Sequence, residues 1–208
     1  MYPKIAFLLY NSDVIIISTI IGSVEIIAYY AAALVIANFV SYAAQISTSV
    51  NSKLLGGGKK SIAIQNLTYS VYFAIPLLSL SVVLAETGLT ILNPIYQSAA
   101  IVVIFLSFKM LFRSFSGIME NYLTGIEEVD IKENPSIKDF LKSKFFTIPT
   151  LRIIQYSIYL IILSVVIILI NSSTSNMELI IIWSIISMMI HIPLLIFLIL
   201  KVRSEFKT

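Results

Sequence analysis

Two positive side chains stand inside an apolar run of helix length between Gln97 and Gly125. Lys109 and Arg113 are four residues apart, so on a helix they share one face, about 6 Å apart along the axis. Inside a membrane each such charge costs roughly 2.5–3.5 kcal/mol on the insertion scale. We therefore predict that Lys109 and Arg113 face a polar cavity and bind an anionic substrate. A structural ion pair with an acid on another span is the alternative.

Asp13 is the predicted partner of this pair, because it stands in the middle of the first apolar run. A buried acid could neutralise Lys109, or it could bind a coupling cation or proton, and the sequence leaves both interpretations open. Other polar side chains within the apolar runs are predicted to line the same cavity: Asn11, Asn38, Gln45 and Gln155.

No constellation of residues in the chain predicts catalysis. The sequence has no cysteine, which excludes disulfides, thiolate catalysis and cysteine-based metal sites. His191 is the only histidine and has no paired acid near it in the sequence, so we predict that it hydrogen-bonds between helices. We predict no enzymatic activity, no cofactor and no metal site.

The composition places the chain in a lipid bilayer. Hydrophobic residues make up 58% of the sequence and charged residues only 12%, with a mean hydropathy of +0.96. A soluble domain carries about 25% charged residues and 45–50% apolar ones. The net charge of +3 therefore matters for membrane orientation, and no nucleic-acid partner is predicted. Membrane lipid is the first expected partner.

Six apolar segments are each long enough, at about 20 residues, to cross a hydrocarbon core of about 30 Å. They cover residues 4–23, 26–46, 62–85, 97–119, 147–170 and 178–200. Gly22-Ser-Val-Glu25 is predicted to form a tight hairpin turn between the first two. The sequence thus predicts an all-α, polytopic membrane helix bundle with six transmembrane helices, forming one transmembrane domain over residues 1–208.

The charges outside these segments predict the orientation. Eleven of the fourteen Lys and Arg residues fall at the two termini and in the second and fourth loops, all on one side of the membrane. The loops on the other side carry only Glu25, Glu86 and Glu178 as charged residues. By the positive-inside rule both termini are cytoplasmic, in a multi-pass protein of the cell (plasma) membrane.

The fourth loop, residues 120–146, is predicted to be a cytoplasmic amphipathic segment. Its apolar residues follow helical spacing, with lysines offset from them: Ile137, Phe140, Leu141 and Phe145, against Lys138 and Lys142. Such a pattern is typical of a helix that lies on the membrane surface. A solvated loop is the alternative.

Short motifs along the chain carry a resemblance to a known family. They are, in order, Asp13-Val-Ile-Ile16, Ile20-Ile-Gly22, Tyr29-Tyr-Ala-Ala32, Ile46-Ser-Thr-Ser49, Ala74-Ile-Pro-Leu77 and Leu92-Asn-Pro-Ile-Tyr96. In these motifs the chain resembles the C-terminal six-helix half of polysaccharide-biosynthesis (O-antigen type) flippases of the multidrug/oligosaccharidyl-lipid/polysaccharide exporter superfamily. It departs from the pattern after Ser49, where Val50 stands in place of the usual proline.

The resemblance implies a transporter that works with a second half. Family members generally have two six-helix halves around a central cavity. The second half here would be a separate subunit or a second copy of the chain, unless the chain is a truncated product. The implied activity is translocation of a lipid-linked oligosaccharide or polysaccharide precursor by alternating access. Its phosphate groups would suit the anionic-headgroup site at Lys109 and Arg113.

Two other functions remain open from the sequence. The first is a cation-coupled multidrug-type exporter of the same superfamily, in which Asp13 governs activity. The second is a non-transporting membrane scaffold or truncated remnant, in which Lys109 and Asp13 merely pair.

Overall fold

The computed structural model describes residues 2–45, 60–125, 141–170 and 173–207. These residues are almost entirely helical, with no β-strand among them, which confirms the all-α prediction. The α-helices are α1 (Tyr2–Ile21), α2 (Val24–Ala37), α3 (Tyr42–Gln45), α4 (Lys60–Val83), α5 (Ala85–Leu92), α6 (Ala100–Gly125), α7 (Lys144–Ile170), α8 (Asn176–Met189) and α9 (His191–Lys207). Two 3₁₀ segments, Asn38–Ser41 and Pro94–Ala99, connect to them.

Several of these helices are long and apolar enough to cross a membrane. In the described residues four stretches qualify: Val24–Ser41, Pro94–Gly125, Lys144–Ile170 and Asn176–Glu205. A fifth candidate arises if Leu67–Val83 and Ala85–Leu92, which meet at 61°, form one broken span. Ile5–Ile21 is a shorter apolar helix. The protein is therefore membrane-embedded with four or five candidate spans, and the predicted sixth span stays a prediction.

The turn between α1 and α2 follows from one glycine. Gly22 has a φ of 69°, in the left-handed region that residues with a Cβ avoid. Its N–H donates to the Ser18 carbonyl at 3.0 Å and so satisfies one of the last carbonyls of α1. The tight turn predicted at this position is confirmed.

The chain stays helical beyond residue 85, the predicted end of the third span. The helix turns at Leu84 and resumes as α5, so Glu86 and Gly88 lie within a helix and not in a closing loop. A Cβ on Gly88 would lie 3.0 Å from the Ile36 side chain, so the glycine allows α5 to approach α2 closely. The chain thus folds back against α2 before Asn93 ends the helix.

The later boundaries also shift from those predicted. Helix α6 continues to Gly125 instead of residue 119, which brings Glu120 into a helix. The predicted last span divides at Ile190 into α8 and α9, which together form the one spanning stretch Asn176–Glu205. Pro193 then falls in the first turn of α9, where its missing N–H needs no partner. Most of the predicted amphipathic segment, residues 126–140, lies outside the described residues.

Helix α6 is the centre of the bundle. It packs against α2, α4, α8 and α9, whereas α1 lies mainly along α7. The larger core cluster includes Ala33, Leu106 and Trp183, all fully buried, and the burial of Ala33 agrees with the close packing that small residues permit. A smaller cluster lies where α6, α7 and α9 meet: Tyr122, Leu123, Ile148, Leu194, Leu198 and Val202.

The two ends of the bundle differ in charge. At one end, Asn176 Nδ2 donates to Glu25 Oε2 at 3.2 Å, which brings the starts of α2 and α8 together. Glu178 caps α8 at the same end, where it accepts a hydrogen bond from the Ser175 N–H. We call this end the acidic end.

The opposite end carries lysines from the start of α7, from the residues just before it, and from α9. Lys144 Nζ lies 3.0 Å from Glu205 Oε1, and Lys142, Lys144 and Lys201 line one cavity. We call this the basic end. The charge asymmetry that the positive-inside argument requires is therefore present in the described residues. Which end faces the cytoplasm stays a prediction.

Candidate functional site

Lys109 is buried at the middle of the bundle, with 2% of its surface exposed. Its Nζ donates to the Tyr30 hydroxyl at 3.0 Å and lies 4.9 Å from the centre of the Tyr10 ring. A phenol oxygen and an aromatic face both attract an ammonium ion, although neither carries a full negative charge. Two tyrosines, on α2 and α1, thus surround the charge that α6 supplies.

Asp13 is buried on α1 and is held by neutral donors. Its Oδ2 accepts from the Tyr159 hydroxyl at 2.8 Å and from Trp183 Nε1 at 3.2 Å, while Oδ1 accepts from the Val14 N–H. No basic side chain of the described residues lies within 4 Å of it. A carboxylate is stabilised when it accepts several hydrogen bonds, so Asp13 has partners without a direct ion pair.

An aromatic cluster joins Lys109 to Asp13. The Tyr30 ring stacks on the Trp183 indole with centroids 3.6 Å apart and planes 4° apart. Trp183 Nε1 also lies 3.0 Å from the Tyr159 hydroxyl. Aromatic rings therefore lie between the two charged side chains. The structure therefore brings both predicted residues into one cluster but does not place them in contact.

Three members of this cluster, Tyr30, Tyr159 and Trp183, were not predicted as site residues. A sequence signal for them exists, because a buried Trp N–H or Tyr O–H in an apolar span needs a hydrogen-bond partner. The sequence does not say which partner, since the residues come from α2, α7 and α8.

Arg113 lies on α6 one turn nearer the basic end than Lys109. Its guanidinium is 4.3 Å from the centre of the Tyr10 ring, and it has no ion pair or hydrogen bond with any described residue. It lines a cavity of about 140 Å³ that we call the Arg113 cavity. The other lining residues are Ala6, Phe7, Tyr10, Arg152 and Tyr156. A half-buried guanidinium here presents unused N–H donors to a cavity.

Arg152, in contrast, has a partner at each of its three side-chain nitrogens. Its Nε and Nη2 donate to the two carboxylate oxygens of Glu120 at 2.7 and 2.9 Å, and its Nη1 donates to the Tyr156 hydroxyl at 3.0 Å. From its place near one end of an apolar run, Arg152 would be expected to reach to the membrane surface. It does not, because α6 extends past residue 119 and brings Glu120 opposite Arg152. The bidentate pair links α6 to α7.

A second, larger cavity of about 400 Å³ adjoins the first and is called the Glu120 cavity. Ala6 and Arg152 line both cavities, so the two are neighbours between α1, α6 and α7. Helix α6 supplies a polar wall, and α7 supplies a wall that is apolar apart from Arg152: Glu120, Asn121 and Thr124 face Phe145, Ile148 and Pro149. The Glu120 cavity lies on the side of the basic end.

The remaining predicted lining residues are not gathered at these cavities. Asn11 is exposed and donates to the Phe7 carbonyl of its own helix at 2.8 Å, and Asn38 is exposed at the start of a 3₁₀ segment. Gln155 is buried, and its Nε2 donates to the Ile190 carbonyl at 2.7 Å, in the break between α8 and α9. Gln45 ends α3, and its side chain lies outside the described residues.

His191 is buried beside the site without a hydrogen bond. Its ring meets the Tyr156 ring edge-on at 6.1 Å, and neither ring nitrogen has a partner among the described residues. The predicted hydrogen bond between helices is therefore replaced by a ring contact. In the described part of the chain, no three His, Asp or Glu side chains come together as a metal site would require.

A scan against protein-family models, a search of curated proteins and a search of solved structures each found no match to this chain. The resemblance to flippases therefore stays a prediction from sequence motifs. The residues that the structure assembles between α1, α6 and α7 are the basis for a proposal about function.

Proposed function

We propose that this protein is half of a membrane transporter that moves an anionic, lipid-linked oligosaccharide or polysaccharide precursor across the bilayer. Arg113 carries the proposal, because it is a cation within the bundle that lines a cavity and has no acidic partner among the described residues. A guanidinium matches the oxygens of a phosphate or diphosphate through paired hydrogen bonds. The substrate headgroup would supply the missing anion.

The charge balance of the site supports an anionic ligand. The described residues around the cluster and the two cavities include three cations, Lys109, Arg113 and Arg152, but only two acids, Asp13 and Glu120. Glu120 is paired with Arg152, and Asp13 belongs to the same aromatic cluster as Lys109, through Tyr30 and Trp183. The surplus positive charge thus resides on Arg113. Lys109 is enclosed by tyrosines, so we assign it to holding the site's positive potential and Arg113 to direct contact.

The membrane arrangement belongs to the same proposal. Six spans with both termini cytoplasmic, in the plasma membrane, would direct the basic end inward and open the Glu120 cavity toward the cytoplasmic leaflet. A second six-helix half, as another subunit or a second copy, would complete a central cavity, and alternating access would rock the halves around it.

The test is transport by the complete assembly with Arg113→Gln in this chain. Loss of a hydrogen bond to a charged group costs about 1.5–3 kcal/mol, so we expect translocation of a fluorescent lipid-linked oligosaccharide in reconstituted vesicles to slow about tenfold or more. Arg113→Lys keeps the charge without the fork, so we expect an intermediate rate.

Arg203→Gln is the matched control, because Arg203 is an exposed cation near the end of α9. It should leave translocation unchanged. If Arg113→Gln transports at the wild-type rate with normal expression, Arg113 does not bind the headgroup and the proposal is wrong.

A cation-coupled exporter is the second candidate, and the burial of Asp13 among neutral donors favours it. A buried carboxylate without an ion pair can exchange a proton or cation during transport. In that case Asp13→Asn should abolish transport driven by an ion gradient, and lipid-linked glycan should not compete with the exported compound.

A further inference from the structure

The Glu120 cavity combines features of a site for an uncharged polar ligand. Its volume of about 400 Å³ falls within the range of small-molecule sites, whereas the Arg113 cavity is below that range. One wall offers side-chain oxygen and nitrogen atoms from α6, and the other offers an aromatic ring and aliphatic surface from α7. Such a cavity fits a molecule that is polar on its edges and apolar on a face.

The charges in this cavity cancel. Both carboxylate oxygens of Glu120 accept hydrogen bonds from Arg152, and this pair has no excess charge to attract an ion. Each carboxylate oxygen still has a lone pair that can accept a hydrogen bond from a hydroxyl group. The pair therefore holds two acceptors in fixed positions for a neutral ligand.

Asn121 adds an amide that is not used within the described protein. Its side chain makes no hydrogen bond with any described residue, although it lines the cavity one residue after Glu120. An amide supplies both donors and an acceptor, which a ring of hydroxyl groups can satisfy. Phe145 faces it from α7 and offers a ring against which the C–H face of a sugar can pack.

We propose that the Glu120 cavity binds one uncharged sugar residue of the substrate, the residue that follows the phosphate held by Arg113. The two cavities are neighbours through Ala6 and Arg152, so a single ligand can occupy both. This inference rests on the proposed function, because the phosphate at Arg113 determines which sugar residue reaches the cavity. The first sugar, bound in the Glu120 cavity, then contributes to substrate selection.

The experiment compares two probes on the protein in lipid nanodiscs free of sugar detergent. One probe is a polyprenyl diphosphate without sugar, and the other is the same lipid with a single hexose. We expect the hexose to tighten binding by about tenfold, which corresponds to one or two net hydrogen bonds. Asn121→Ala should reduce this gain to about threefold or less, and Phe145→Leu should reduce it while it keeps apolar packing.

Two variants separate this inference from the proposed function. Arg113→Gln should weaken both probes by the same factor and leave the gain from the hexose intact. Asn11→Ala, which changes an exposed amide on α1 that lines neither cavity, should change nothing.

The other possible outcomes contradict either the sugar site or the proposed function. If the sugar-free probe binds and the hexose adds nothing, the sugar site is wrong and the proposed function stands. If the gain survives both Asn121→Ala and Phe145→Leu, the sugar binds elsewhere. If neither probe binds the wild-type protein, the proposed function fails and the sugar site fails with it.

Discussion

The Tyr30 hydroxyl is the one hydrogen-bond acceptor that the described residues give to buried Lys109. Tyr30→Phe keeps the stack on Trp183 but removes that oxygen. A hydrogen bond to a charged group contributes about 1.5–3 kcal/mol, so we expect the free energy of unfolding to fall by about that amount. Titration with a denaturing detergent in mixed micelles measures it.

Tyr29→Phe is the matched control on the same helix. The Tyr29 ring packs edge-on against Tyr96 at 5.4 Å, and its hydroxyl makes no hydrogen bond with the described residues. We expect its effect to stay within about 0.5 kcal/mol. Equal effects of the two variants would show that Lys109 does not depend on the Tyr30 hydroxyl.

Asp13→Asn tests the other side of the cluster with little change in shape. The carboxylate accepts from the Tyr159 hydroxyl and from Trp183 Nε1 through one oxygen, and the amide oxygen of asparagine can accept from both donors in its place. A hydrogen bond to a charged group contributes about 1.5–3 kcal/mol and a neutral one about 0.5–1.5 kcal/mol, so we expect a loss of about 1 kcal/mol for each bond. The same micelle titration checks it, and an unchanged midpoint would contradict the described network.

At this scale the sequence indicates which residues are unusual but not what they contact. A charge within an apolar run is visible at once, and Lys109, Arg113 and Asp13 were found in this way. Their partners are remote along the chain: Tyr30 is 79 residues from Lys109, and Trp183 is 170 residues from Asp13. Hydropathy contains no information about such pairings, so the acid in the middle of another apolar run, Asp13, was the predicted partner.

At the scale of elements, glycine-to-alanine substitutions at two positions should have opposite effects on stability. Gly22 has a left-handed conformation in the α1–α2 turn, and Gly117 is within α6; a Cβ would meet nothing within 4 Å at either position. Gly22→Ala should therefore destabilise the protein by about 1–2 kcal/mol through backbone strain alone. Gly117→Ala should stabilise it by about 0.5–1 kcal/mol, because alanine favours the helix.

The free energies of unfolding of the two variants are measured in parallel. Because the substitution is the same at both positions, any difference between them reflects the local backbone conformation. A loss of stability at both positions would mean that the space beside Gly117 is occupied in the assembly, for example by the second half. Equal and negligible effects would contradict the left-handed turn at Gly22.

The elements differ in how far their sequences determine them. The Gly22 turn was predicted because its signal is local. The boundaries at Val83 and Gly125 were missed because a hydropathy window excludes charged residues, and Glu86 and Glu120 were placed in loops for that reason. Tertiary pairing makes Glu120 acceptable within the helix, since Arg152 neutralises it from α7. The break at Ile190 had a visible cause in Pro193, but a proline alone does not distinguish a kink from a break.

At the scale of the whole molecule, the basic and acidic ends and the cavities form one arrangement. The cavities lie between α1 with α7 on one side and α6 on the other, and α1 has little contact with α6. A cleft between helices that are not tightly packed can widen when one group moves against the other. The Arg152–Glu120 pair joins α6 to α7 beside this cleft. The pair therefore restrains the separation of α6 from α7 when the cleft widens.

The absence of cysteine makes the orientation directly measurable, because a single introduced thiol is the only reactive one. Ser173 is exposed near the acidic end and Ser204 is exposed near the basic end. In intact cells a membrane-impermeant maleimide should label Ser173→Cys, and it should label Ser204→Cys only after permeabilisation, because lysines favour the cytoplasmic side. A cysteine placed ahead of Met1 tests α1: with six spans it behaves like Ser204→Cys. Labelling of that N-terminal cysteine in intact cells would show that α1 does not cross the membrane, and labelling of both serine variants from one side would contradict the arrangement of the ends.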